Sequence, residues 1–296
     1  GAMGKGMAEM LLNKKGVEIV GVVGRTHRLG KSMYDYLDVE RGDRPDIIIG
    51  EYDKVITEKA ADVVIIATDS FTRDNFEKIK YCLERKINVI STAEEMAYPQ
   101  AQEPELAKEL DRIAKENGVT VLGTGINPGL IMDLLVIALT GACIEVESIR
   151  AERVNNLSPF GPAVMEGQGV GLTVEEFNNR VKEGTLAGHV GFPESIRMIA
   201  DAIGWKLSDE VELIREPIVS KVYRKAPHAE VQPGNVAGCN MKGFGRVDGE
   251  VKIEMLHPQQ VEPQLEGGST GDYITIKGTP NINMSIKPEV PGGIGT

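Results

Sequence analysis

Short apolar runs and amphipathic stretches take turns through the first 126 residues of the chain. Val17 to Val23 reads as a valine-rich strand between Gly16 and Gly24, and Asp46 to Ile49 as the end of a second one. Asp62-Val-Val-Ile-Ile-Ala67 is apolar throughout, the pattern of a strand buried on both faces. A helix from Arg73 to Arg85, a strand from Ile87 to Ser91 and a second helix from Pro104 to Asn117 follow; Leu106, Leu110, Ile113 and Ala114 share one face of that helix and Gly118 stops it. Val119, Val121 and Leu122 then form a short buried strand, Gly123 to Gly129 a loop punctuated by Gly and Pro, and Leu130 onward an apolar helix. Strand and helix alternating in this way specify a parallel, doubly wound sheet.

Beyond about Asn127 the period changes. Cys143 to Val154 alternates apolar and polar, as an antiparallel strand with one covered face does. Helical segments are expected at Val174 to Lys182 and Pro193 to Ile203. Strand-like stretches follow at Val211 to Val222, His228 to Arg246, Glu250 to His257 and Tyr273 to Lys277. The fold class is therefore α/β: residues 1–127 form a doubly wound parallel sheet, and residues 128–296 form an α+β domain with an open, mainly antiparallel sheet. No internal repeat and no low-complexity tract interrupts either part. The last residues, Pro291 to Thr296, read as a loop rather than a natural end.

Composition narrows the class. A formal charge of −11 argues against a nucleic-acid surface, which needs a basic face; it would attract a small cationic substrate, although a net acidic balance is ordinary for soluble enzymes. Three widely spaced cysteines, Cys82, Cys143 and Cys239, suit a reducing compartment better than a disulfide framework. The longest apolar run, Leu130 to Leu139, is broken by Asp133 and is too short to span a bilayer. No two histidines have ligand spacing, so no metal is expected. A cytoplasmic protein that touches neither membrane nor nucleic acid is the expectation.

Candidate chemistry gathers where strands end and helices begin, because ligands of open α/β sheets collect at the carboxyl edge. Gly1-Ala2-Met3-Gly4 matches the second half of a glycine-rich phosphate-binding turn of Rossmann type. On that reading the sequence begins inside the motif, its first strand lying upstream; a cloning scar is the other reading of the same residues. After the valine-rich strand, where an acidic residue would meet a ribose 2′-hydroxyl, stand Arg25, Thr26 and Arg28. They point to NADP, with NAD possible, although a solvated loop also carries arginines. Thr68, Asp69 and Ser70 end the apolar strand, and Asn127, Pro128 and Gly129 lie in a loop that is either a wall for the nicotinamide or a tight turn. Glu94 and Glu95 follow another buried strand. Partly desolvated, one of them can act as a general base while the other faces away; a pair complementing a helix start is the alternative. Asn155, Asn156 and Ser158 end the alternating strand with amide and hydroxyl donors suited to an amino acid, or else form a polar loop. His189 precedes a helix and either contacts a substrate carboxylate or is structural, and His228 and His257 read as structural or exposed.

Four separated motifs, Ser91-Thr-Ala-Glu-Glu-Met96, Leu122-Gly-Thr-Gly-Ile-Asn-Pro-Gly129, Gly171-Leu-Thr-Val-Glu-Glu-Phe177 and Gly188-His-Val-Gly-Phe-Pro-Glu-Ser195, resemble those of 2,4-diaminopentanoate dehydrogenases and their relatives, the native amine dehydrogenases. The resemblance covers nearly the whole chain. Arg153 to Gly171 is similar to the diaminopentanoate branch. The resemblance implies a fold like that of dihydrodipicolinate reductase and oxidative deamination with a nicotinamide cofactor. It also implies a catalytic glutamate within Glu94-Glu95, and a homodimer is expected. A dihydrodipicolinate reductase-like or homoserine dehydrogenase-like oxidoreductase, or a catalytically silent NADPH-binding regulator, is the alternative.

Overall fold

A computed structural model describes residues 2–292 of the chain. It divides into two compact units: the described residues up to Ile126 together with Pro291 and Gly292, and Asn127–Val290.

The first unit opens with α1 (Ala2–Leu12), followed by β1 (Val22–Val23), β2 (Ile49–Gly50) and the single turn α2 (Tyr52–Val55). Ala8 and Leu12 of α1 pack with Ile19, Val22, Met33 and Ile49. The valine-rich strand is shorter than its composition predicts. Only Val22 and Val23 join a ladder, in parallel with Ile49 and Gly50. On the other edge of β2, Met33 N–H donates to the Ile47 carbonyl and Ile49 N–H to the Lys31 carbonyl, so Ile49 is paired on both sides. Val20 is left 60% exposed.

Next come β3 (Val63–Ile66), α3 (Thr72–Glu84), β4 (Asn88–Ser91), α4 (Pro104–Asn117) and β5 (Val121–Gly123), with β3, β4 and β5 pairing in parallel in that order. α4 begins on Pro104 and stops at Gly118, whose φ of 67° is the left-handed conformation that glycine reaches without a Cβ penalty. Ile66, Val89, Ile79, Leu83, Leu110 and Ile113 form one core, with Val64 and Val121 packed against it. Here the structure corrects an expectation. β3 is covered on one face only, since Val63 and Ile65 are 42% and 37% exposed and Leu122, in register with Ile90 and Ile65, is 52% exposed.

In the second unit the apolar helix does not begin at Leu130 but at Leu134, as α5 (Leu134–Thr140). Asp133 turns the chain first, its side chain accepting the Leu134 and Gly129 N–H groups. A sheet of six strands follows from β6 (Glu145–Asn156), β7 (Glu212–Val219), β10 (Val236–Val247), β11 (Glu250–Gln260), β12 (Gly271–Thr279) and β13 (Ile282–Ile286). Their order is β13-β12-β6-β11-β10-β7, antiparallel except for β6 beside β11. The stretch from His228 to Arg246 is not one strand. Ala229–Val231 is β9, hairpinned with β8 (Arg224–Ala226), and the chain breaks at Gly234, with φ of 90°, before β10. Three helices complete the unit: α6 (Pro162–Gly167), α7 (Val174–Lys182) and α8 (Phe192–Ala202). α6 was not anticipated, because six residues are too few to show a period. In α7 the Thr173 hydroxyl accepts the Glu176 N–H while the Glu176 carboxylate accepts the Thr173 N–H, a reciprocal cap. α8 lies on the sheet face that carries Gly243 and Gly245. A Cβ at either glycine would come within 2.7 Å of Phe192 or 2.6 Å of Ile196.

Candidate active site

In the first unit, Ala2, Met3 and Gly4 fall inside the first turn of α1, where backbone N–H groups lack helical partners. Gly1 lies outside the described residues. A Cβ at Gly4 would meet nothing within 4 Å, so packing among the described residues does not demand glycine there. Arg25 caps a short 3-10 turn, Thr26–Arg28, directly after β1. It is exposed and close enough to Asp69 to help lower that carboxyl's pKa, the larger causes being hydrogen bonds from Lys78 and Thr68. Arg28 instead stacks over Tyr36, 5.0 Å from the ring centroid, and its Nε is shielded with no hydrogen-bond partner. At the end of β3, Lys78 pairs with Asp69 and donates to the Thr68 hydroxyl at 3.1 Å. Arg25 thus lies within electrostatic reach of Asp69, which follows β3 together with Thr68.

Glu94 and Glu95 do not sit on a strand with side chains on opposite faces. They open a 3-10 turn, Glu94–Ala97, immediately after β4. That turn gives the two carboxyls different fates. Glu95 is 8% exposed; its Oε2 accepts the Thr72 backbone N–H at 2.7 Å, its Oε1 lies 3.4 Å from the Gln102 amide, and its own N–H donates to the Ser70 carbonyl at 3.1 Å. Glu94 is half-buried, and no residue described here hydrogen-bonds or ion-pairs with its carboxylate. The turn rests on β5, because a Cβ at Gly123 would overlap the Met96 carbonyl.

In the second unit a polar band crosses the covered face of the sheet. Arg215, Met241, His257, Arg153 and Asp272 follow one another across β7, β10, β11, β6 and β12. The Arg153 guanidinium, 1% exposed, donates to Asp272 at 2.5 Å and to the Val290 carbonyl at 2.6 Å. His257 donates from Nδ1 to the Arg153 carbonyl at 2.7 Å, which fixes its neutral tautomer with a free lone pair on Nε2. The His189 ring stands edge-on to His257 at 4.8 Å and to Phe192 at 5.3 Å, and its Nε2 is shielded and unpartnered. Burial and the Arg153 charge press the His189 pKa down to about 3, and burial drives His257 well below its usual value too. One step along the strands, Asn155 is in register with Gln259, and its Oδ1 is likewise shielded without a partner.

Asn156 and Ser158, by contrast, serve the strand end. The Asn156 Oδ1 accepts from the Ser158 N–H, the Ser158 hydroxyl and the Glu262 N–H. His228 is exposed in the β8–β9 turn. The loop of Asn127, Pro128 and Gly129 is held by Asp133, which is fully buried and whose Oδ2 also accepts from the Ser195 hydroxyl at 2.8 Å. Gly191, with φ of 121°, packs so closely that a Cβ would lie 2.5 Å from the Pro128 ring. Two of the sequence motifs therefore interlock. Both polar atoms of the Asn127 amide are shielded and without a hydrogen-bond partner. Sequence reasoning singles out neither Asp133 nor the pairing of Arg153 with Asp272. For Asp133 a signal existed, a lone carboxylate in an apolar run; for the ion pair none did, since its members stand 119 residues apart.

Residues 130–296 match the family described as 2,4-diaminopentanoate dehydrogenase C-terminal domain. The chain belongs to the 2,4-diaminopentanoate dehydrogenase family. Residues 1–124 match the oxidoreductase family with an NAD-binding Rossmann fold, so the protein is a nicotinamide-dependent oxidoreductase of α/β class. It is 71% identical over 296 residues to a 2,4-diaminopentanoate dehydrogenase of Acetoanaerobium sticklandii, covering 100% of this chain and 84% of that one. An amine dehydrogenase of Streptomyces virginiae is 23% identical over 203 residues, which are 64% of this chain and 54% of that one. The structure of an amine dehydrogenase from Mycobacterium smegmatis superposes with a TM-score of 0.82 at 26% identity, over 99% of this chain and 86% of the other. Among the described residues, no helix is long and apolar enough to cross a membrane, and no group of three or more His, Cys, Asp or Glu could hold a metal ion.

Proposed function

We propose that the protein oxidatively deaminates 2,4-diaminopentanoate to 2-amino-4-oxopentanoate and ammonia, reversibly, with Glu94 as the base. The observation that carries the site assignment is the contrast between two adjacent carboxyls, one consumed by a backbone N–H and one free. The bound nicotinamide supplies the hydride acceptor. The substrate arrives as an ammonium; Glu94 takes a proton from it, so the nitrogen lone pair can push hydride off the amine-bearing carbon and leave an iminium. Water adds to that carbon, Glu94 takes up and returns protons, and ammonia departs. Within the second unit, the neutral histidines 189 and 257, the Asn155 amide and Gln259 form a polar surface of the kind that pairs with the polar groups of an amino acid.

Residues fit the cofactor at both expected ends. In the first unit the first turn of α1 suits phosphate, with Thr68, Asp69 and Ser70 as further cofactor contacts; in the second, Asn127, Pro128 and Gly129 keep their assignment to the nicotinamide. Exposed Arg25, directly after β1 where an acidic residue would otherwise meet the ribose 2′-hydroxyl, favours NADP over NAD. We place the protein in the cytoplasm, in keeping with three free cysteines. A homodimer would use the sheet face opposite α8, where Ile214, Lys242, Leu256, Glu152 and Tyr273 form one row. The test is turnover of diaminopentanoate followed at 340 nm with each nucleotide. Glu94→Gln should lose 10²–10⁴-fold in kcat, the usual worth of a general base, while still binding NADPH. An E94Q enzyme at parent rate would refute the assignment.

A further inference from the structure

The carboxylate and amide of the residue after the proposed base are both held by hydrogen bonds within the protein. α3 begins after Phe71, which offers no side-chain cap, so its first N–H groups must find acceptors elsewhere. Thr72 is fully buried and its N–H finds Glu95 Oε2, from a turn 23 residues away. The bond is reciprocated, since Glu95 N–H donates to the Ser70 carbonyl. The two bonds close a clamp between residues 70–72 and the turn that carries Glu94. On its other side the same turn lies flat on β5 because Gly123 has no Cβ.

We infer that Glu95 is a positioning residue: by capping α3 at Thr72 while its amide holds Ser70, it fixes the turn that orients Glu94 and couples that turn to the segment Thr68–Ser70 at the cofactor edge. This rests on the reading of Glu94 as the base. A capping role needs an acceptor oxygen and not a titrating group. The amide oxygen of glutamine can keep the Thr72 bond, whereas alanine leaves a buried N–H unpaired and the turn loose. A displacement of about 1 Å in a reacting group can cost on the order of 10²-fold in rate.

The experiment compares Glu95→Gln, Glu95→Ala and Glu94→Gln in the full chain. It reads kcat, KM, the pH profile of kcat, NADPH binding by fluorescence and thermal unfolding. E95Q should stay within about fivefold of the parent, and E95A should lose roughly 10–100-fold in kcat and bind NADPH several-fold more weakly. The residual activity of E95A should keep the parent's acidic limb, because the base is untouched. An E95Q enzyme as poor as E95A, with the acidic limb gone, would make Glu95 the base and overturn the inference. So would an E95A enzyme that merely unfolds earlier while its kcat and NADPH affinity stay at parent values. If E95A does not fold, Glu95→Asp replaces it, since a side chain one methylene shorter keeps the charge but not the reach to Thr72; it should fall between E95Q and the expected E95A loss, and parent kinetics in E95D would overturn the clamp. E94Q separates the two readings. Parent activity in E94Q removes the base assignment and the inference with it, whereas an E94Q loss beside a fully active E95A removes only the positioning role.

Discussion

Replacing Asp133 by asparagine changes one oxygen to an amino group and nothing else in volume, yet it strikes a buried hub. The carboxylate, with no solvent exposure, accepts Leu134 N–H at 2.6 Å through Oδ1, and Gly129 N–H at 2.7 Å and the Ser195 hydroxyl at 2.8 Å through Oδ2. An asparagine can keep one oxygen on Leu134 and let the Ser195 hydroxyl rotate to accept. Gly129 N–H then faces an amino group and loses its acceptor. A buried donor left unpaired costs about 1–3 kcal/mol, and hydrogen bonds to a charged group are worth about 1.5–3 kcal/mol against 0.5–1.5 for neutral ones. Asp133→Asn should therefore cost roughly 2–4 kcal/mol of the second unit's stability, and Ser195→Ala about 1 kcal/mol. In a double-mutant cycle the two should couple, because both act on Oδ2. Urea unfolding read by tryptophan fluorescence suits the test, since the chain's one tryptophan, Trp205, follows α8 in the unit that contains Asp133. Loosening Gly129 should also weaken NADPH binding. A D133N protein within 0.5 kcal/mol of the parent, with unchanged NADPH affinity, would refute the hub; that threshold is the usual scatter of a substitution away from such features.

Two further outcomes are expected. Arg25→Ala should cost about 1.5–3 kcal/mol of NADP binding and little of NAD binding, measured by fluorescence titration, and equal losses for both would remove Arg25 from the 2′-phosphate. Acid should destabilise the second unit through His189 and His257, whose folded pKa values lie below the unfolded value of 6.5. The sign follows from the unfolded chain binding the extra protons: stability is full above pH 6.5 and declines as pH falls toward about 3, by at most about 1.4 kcal/mol per pH unit for each histidine. Unfolding curves between pH 7 and 5 should show that slope reduced in His257→Asn, and an unchanged slope would mean that His257 is not held neutral.

The sequence by itself determined whatever local chemistry decides. Pro104 and Gly118 bound α4 because each sets a backbone angle at its own position, and both ends fell where the residues indicated. Likewise α7 spans Val174–Lys182 as its period predicts, and alternation announced β6. The four motifs, too, are local in the chain and carried the family. What depended on distant partners was decided only by the tertiary structure. Glu94 and Glu95 are chemically identical neighbours, and the difference between them is an N–H 23 residues away that one reaches. β3 reads as buried on both faces, but burial is a property of what packs on it, and only one face is covered. The start of α5 moved from Leu130 to Leu134 because Asp133 found Gly129 and Ser195, and a carboxylate bound to backbone N–H groups ends a turn instead of continuing a helix. Arg153 and His257 looked like ordinary strand residues. Six strands in their observed order bring them together with Asp272, and no spacing along the chain encodes that order.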